Sequence, residues 1–166
     1  MKHETFEQLS PEDERRGIVW QVAGGGYIGA LCHAAPGEVV LSSLIEASRS
    51  SAQPVTGVFI EDLRGGLAAA RTSCLRRLSS ALDAPVVIMT SSPFARGGAT
   101  ASRWLGERVF AFGRRGLDEA FGRLGVPELE QTAIRAALRA LRVARNLERR
   151  HCRPRGATRG AASGVM

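Results

Sequence analysis

Residues Pro85-Val86-Val87-Ile88-Met89-Thr90 put apolar side chains on four consecutive positions. Successive residues of a strand point to opposite faces, so a strand here has no face to offer water. It reads as a fully buried strand inside a sheet. The surrounding segments supply the rest of an α/β pattern. Ile18 to Val22 has the composition of a half-buried strand, Gly24-Gly25-Gly26 is a turn, and Tyr27 to His33 returns as the second arm of a hairpin. Val55 to Ile60 is β-branched and apolar enough for a central strand, and Val109 to Phe112 suits a short one.

Between these runs the apolar period changes from two to between three and four. Val40, Leu41, Leu44, Ile45 and Ser48 share one helical face, which predicts a helix over 38–49. Leu67, Ala70, Cys74, Leu75, Leu78 and Leu82 predict a second. Ser91-Ser92-Pro93 offers a cap and an initiating proline for a third, running to about Leu105. Leu117, Ala120, Phe121 and Leu124 form the stripe of a short fourth, and Pro127 opens a fifth over 128–150. The core order is a β-hairpin followed by α-β-α-β-α-β-α, with the fifth helix after it and without an internal repeat. The predicted division is a flexible acidic arm at 1–16, an α/β domain at 17–126, an Arg-rich amphipathic helix at 127–150 and a basic tail at 151–166.

With 166 residues the chain is long enough for one hydrophobic core and too short for two full-sized domains. Its three cysteines are odd in number and widely spaced, and no secretory signal precedes them. A reduced, cytoplasmic setting is expected. The longest apolar run, Ala84 to Met89, is far below the roughly 20 residues of a membrane span. The net charge of +7 is unevenly distributed. Residues 1–130 carry 14 basic and 15 acidic groups, whereas residues 131–166 carry nine arginines against Glu148 alone. Arg135, Arg139, Arg142, Arg145 and Arg149 are spaced four, three, three and four, a single stripe on the last helix. That stripe is a candidate for docking on an acidic partner, for weak, non-specific nucleic-acid binding or for an anionic surface.

Other motifs point less far. Gly24-Gly25-Gly26-Tyr27-Ile28-Gly29 satisfies G-x-G-x-x-G, so a small nucleotide-dependent enzyme using Gly24, Gly26 and Gly29 is one alternative. The helix and the acidic strand end that a dinucleotide needs do not follow it, and a hairpin turn is the expected role. Cys32-His33 and His151-Cys152 could supply zinc ligands on paper, but neighbours on a strand face opposite ways, and no metal site is expected. Glu61-Asp62 closes a strand, where adjacent acids most often form a solvated turn. No Ser/His/Asp or Cys/His set has a convincing base, so neither catalysis nor a cofactor is expected.

Residues Ser91 to Leu105 between two short strands, followed by Val109-Phe110-Ala111-Phe112 and Leu117-Asp118-Glu119-Ala120-Phe121, resemble the STAS-like (SpoIIAA-like) domains of bacteria. The likeness covers about Ile18 to Val126. It implies a single small α/β domain with a mixed sheet of four to five strands and helices mainly on one side, to which the C-terminal amphipathic helix is added. It also implies action by binding another protein, such as a signalling kinase or an anti-sigma-like factor, without catalysis. Regulated members carry a phosphorylatable serine in an Asp-Ser-Ser-Gly-Leu loop. Here Gly66-Leu67 fits the end of that loop but no hydroxyl precedes it, and Thr72 and Ser73 lie inside the next helix, so no phosphorylation site is carried over. Loops after neighbouring strands meet at one sheet edge, which makes Asp62, Leu63, Arg64, Gly65, Gly66, Ser91 and Ser92 the candidate partner-binding surface.

Overall fold

The computed structural model describes residues 17–34, 38–50, 53–63 and 72–151. The arm expected at 1–16, the tail beyond residue 151 and residues 64–71 lie outside the described residues. Strands β1 (Ile18–Val22), β2 (Tyr27–Cys32), β3 (Gly57–Asp62), β4 (Val86–Thr90) and β5 (Val109–Phe112) form one sheet in the order of the chain. β1 pairs antiparallel with β2, and β2 to β5 are parallel. The helices are α1 (Glu38–Arg49), α2 (Thr72–Leu82), α3 (Pro93–Trp104), α4 (Leu117–Leu124) and α5 (Glu128–His151).

This topology dictates where the helices go. Right-handed crossovers between successive neighbours, all stepping in one direction, place their helices on the same face of the sheet. Accordingly Leu44 and Ile45 of α1, Leu75 and Leu78 of α2 and Ala99 of α3 pack with Ile28, Ala30, Val58, Ile60, Val86 and Ile88. The alternate strand residues would then face water, yet they are Tyr27, Phe59, Val87 and Met89. They are covered by Ala120 and Phe121 of α4 and by Ile134, Ala137 and Leu138 of α5. The expectation of helices mainly on one side holds for the three crossovers, while α4 and α5 cover the other face. α5 closes the second face and belongs to the core of the domain, not to an appendage after residue 126.

The glycine motif is explained by this closure. Gly25 and Gly26 hold φ of +66° and +76° in the single 3₁₀ turn between β1 and β2, a conformation that side chains with a Cβ rarely adopt. Gly29 lies within β2, and a Cβ there would stand 3.2 Å from the Cβ of Ala137. The third glycine thus admits the backbone of α5 to the sheet. The chain continues through it as strand, and the turn lies at the amino-terminal end of the parallel strands, opposite the end where open α/β sheets bind ligands.

Candidate functional site at the carboxyl edge of the sheet

β3 begins two residues later than its apolar run suggests, so Glu61 and Asp62 are its last residues and not a turn beyond it. Both are buried, Asp62 completely. The expectation of a solvated acidic turn is corrected by two distant partners. Parity along β3 and β4 turns Asp62 and Thr90 to the same face, where the Thr90 hydroxyl donates to Asp62 Oδ2 at 3.0 Å. Glu61 turns to the other face, where Arg142 of α5 donates to its Oε2 through Nε at 2.7 Å and through Nη2 at 2.6 Å. Burying a carboxylate without such charge-assisted or hydroxyl donors is strongly unfavourable, so these contacts are what permits the pair to stand there.

Thr90 also accepts the Ser92 N–H through Oγ1 at 3.0 Å, and the Ser92 hydroxyl accepts the Ala95 N–H at 3.3 Å as the cap of α3. A continuous path therefore runs from Asp62 through Thr90 and Ser92 into the first turn of α3. Ser91 is exposed and Ser92 half-buried. Leu63 donates its N–H to the Cys32 carbonyl at 2.9 Å, and its own carbonyl accepts a hydrogen bond from Arg114. The structure thus brings Asp62, Leu63, Ser91 and Ser92 to one edge. Asp62 supports that edge from inside and presents nothing to a partner, while Arg64, Gly65 and Gly66 lie outside the described residues.

Cys32 ends β2 beside this network and is fully buried as a free thiol. Burial first, and the neighbouring charge of Asp62 second, push its pKa up to about 12, against the opposing influence of Arg145. A thiol held protonated in this way is a poor nucleophile at neutral pH. Among the described residues no group of three or more His, Cys, Asp or Glu side chains is placed to hold a metal ion.

The arginine stripe is divided by the fold. Ile134, Leu138, Leu141 and Arg145, spaced four, three and four, form the buried face of α5, so Arg145 is turned inward and only 7% exposed. Arg135 pairs with Asp118 and lies 5.0 Å over the Phe121 ring, and Arg142 is engaged with Glu61. Arg139 is exposed, and the side chain of Arg149 lies outside the described residues. Five guanidinium groups offered together to solvent are therefore not what α5 presents. No helix is long and apolar enough to cross a membrane among the described residues.

One feature has no counterpart in the sequence expectations. Phe94, Trp104 and Leu105 are 82%, 85% and 66% exposed, although each is the kind of side chain that belongs in a core. No family model, no curated protein and no solved structure matches the chain.

Proposed function

We propose that this chain is a STAS-like protein-interaction or regulatory module of a bacterial cytoplasm, which acts by binding another protein at the carboxyl edge of its sheet and performs no catalysis. The observation that carries the reading is the path from Asp62 through Thr90 to Ser92. It anchors the ends of β3 and β4 and the first turn of α3 to one another, so Leu63, Ser91 and Ser92 are held close together at one edge. A preordered surface loses less entropy on association than independent loops do. The order of strands and helices and the Ser91 to Leu105 segment, which resemble those domains, support the same reading. Docking of nucleic acid on α5 is less favoured, because the guanidinium groups of Arg135 and Arg142 already have carboxylate partners.

The test is affinity capture with the full chain, followed by mass spectrometry, comparing wild type with the double variant Arg64→Glu, Ser91→Glu. Ser91 is exposed and not part of the internal path, so its replacement leaves the scaffold intact. The double variant should lose the main partner while its far-UV spectrum and melting temperature stay unchanged. Capture of the same partner at the same yield would remove this edge from consideration.

A further inference from the structure

β1 lies at one end of the sheet, and its side away from β2 is open. Gly17 accepts the His33 N–H at 2.9 Å, and Ala23 donates its N–H to the Tyr27 carbonyl at 2.7 Å, both in continuation of the β1–β2 register. In an antiparallel ladder the residues bonded to the neighbouring strand alternate with those turned away from it. Gly17, Val19, Gln21 and Ala23 therefore bond to β2. Ile18, Trp20 and Val22 point their N–H and C=O groups outward, where no described strand meets them.

Charged side chains are the usual guard of such an edge. The opposite edge has them: β5 lies between Arg108 and Arg114, and Arg103 and Arg123 stand 5.3 Å and 5.7 Å from the centre of the Phe110 ring. β1, Ile-Val-Trp-Gln-Val, carries no charge, and Val22 is 59% exposed. The neighbouring flank of α5 is neutral as well. Arg135 and Arg142 turn toward Asp118 and Glu61, and at 100° per residue Ala133, Ala137, Ala140 and Ala144 form the other flank, within an arc of about 60°. Ala133 lies beside Gly24 and Ala137 over Gly29, so that flank borders the β1 side of the sheet.

We infer that β1 is the interface of a homodimer, in which two copies pair β1 antiparallel about a twofold axis at Trp20 and join their five-stranded sheets into one. Of the registers that parity allows, the one centred on Trp20 engages all three outward residues. Trp20 then faces its own copy and Ile18 faces Val22 of the partner subunit, which gives about six N–H···O bonds and covers the exposed Val22 with an apolar neighbour. Charge favours a second copy over an unrelated strand. The same axis lays the two α5 helices antiparallel on one face of the joined sheet. α5 begins with Glu128 and Glu130 and has arginine at positions 149 and 150, so the acidic start of each runs along the basic end of the other. Elsewhere a chain of net charge +7 repels its copy, whereas this joint is uncharged. The surface is separate from the carboxyl edge that bears Ser91.

The test is sedimentation velocity of the full chain from about 1 to about 200 μM, with residue-resolved amide exchange at both ends of that range. Monomer should give way to dimer as concentration rises, and the Ile18, Trp20 and Val22 amides should gain protection in step with it. Val22→Pro deletes an outward N–H without touching the β1–β2 bonds, and Val22→Lys places a charge on the edge. Each should weaken the dimer at least about tenfold while the melting temperature of the dilute protein stays unchanged. Trp104→Ala, on α3, should leave dimerisation as it is. A chain that stays monomeric through the whole range, dimers that survive both Val22 variants or that Trp104→Ala abolishes, or amides protected equally at every concentration, the outcome if residues 1–16 closed the edge, would each overturn the proposal.

Discussion

α5 and α3 invert the roles that their sequences suggest. α5 looks like a solvated basic helix, yet Arg145 is buried in it, Arg142 is bonded to Glu61 at 2.7 Å and Arg135 is paired with Asp118. α3 looks like an ordinary crossover helix, yet it turns Phe94 and Trp104 to solvent. The difference follows from position in the sheet. α3 had only to cover one end of a face that α1 and α2 already shared. α5 crosses β2 on a face that no crossover could reach, and the buried acid at the end of β3 required a cation from it. Charge on a helix is therefore no guide to exposure until the face that needs covering is known.

The sharpest way to break this comparison is to remove α5. Truncation after Pro127 strips Ile134, Ala137 and Leu138 from Tyr27, Phe59 and Phe121, leaving the second face bare. The truncated chain should lose its cooperative thermal transition and bind a hydrophobic dye. A milder version, Leu138→Ala, should cost about 2–5 kcal/mol by denaturant unfolding. If the truncated chain melted as cooperatively as the full one, α5 would be the appendage that a domain boundary at residue 126 implies.

That boundary shows what was legible in the sequence and what was not. The helix limits at 38–49, 117–124 and the start at Glu128 agree with the apolar periods, because a period is local. The role of α5 was not legible, since Leu138 and Arg145 share its buried face and an arginine there reads as solvent-facing. Nor was the burial of Glu61 and Asp62, whose partners lie 81 and 28 residues away. One clue was present. β4 needs cover on both faces, whereas crossovers stepping through successive parallel strands cover one. Together they call for a helix from the end of the chain.

The carboxyl edge offers a second test through Cys32, whose thiol ionises near pH 9.0 when free and is pushed up to about 12 in the fold. Above the lower value the unfolded chain releases a proton that the folded one retains, so stability is complete below pH 9 and falls as pH rises toward 12. The loss attributable to this group is on the order of 4 kcal/mol across that window. Cys32→Ser or Cys32→Ala should flatten the alkaline limb in denaturant melts. In the native protein at pH 8, peptide mapping after alkylation should find Cys32 unmodified. An alkaline limb of the same slope in both variants would show that Cys32 is not the group responsible.

A smaller effect separates arginines that look alike in sequence. Arg142→Ala removes the guanidinium from Glu61, which is largely covered, and should cost about 1–2 kcal/mol, reduced from a fully buried pair because Arg142 is half exposed. Arg139→Ala on the exposed side should change stability by less than about 0.5 kcal/mol. Equal losses at the two positions, measured by urea unfolding at low and moderate salt, would show that the stripe acts as one charged face after all.

The smallest expected effect on stability falls on the largest exposed side chains, those of α3. Phe94 and Trp104 gain little from folding, because most of their surface remains in water after it. Phe94→Ala and Trp104→Ala should therefore move the unfolding free energy by no more than about 0.5 kcal/mol in either direction, while improving solubility. The sign matters less than the contrast with Leu138→Ala, an apolar deletion of similar chemistry at a covered position. Should Trp104→Ala instead destabilise the isolated chain by several kcal/mol, the ring would already be packed in solution, and the apolar face of α3 would have an occupant within the chain itself. A neutral result shows that the ring makes no stabilising contact within the chain.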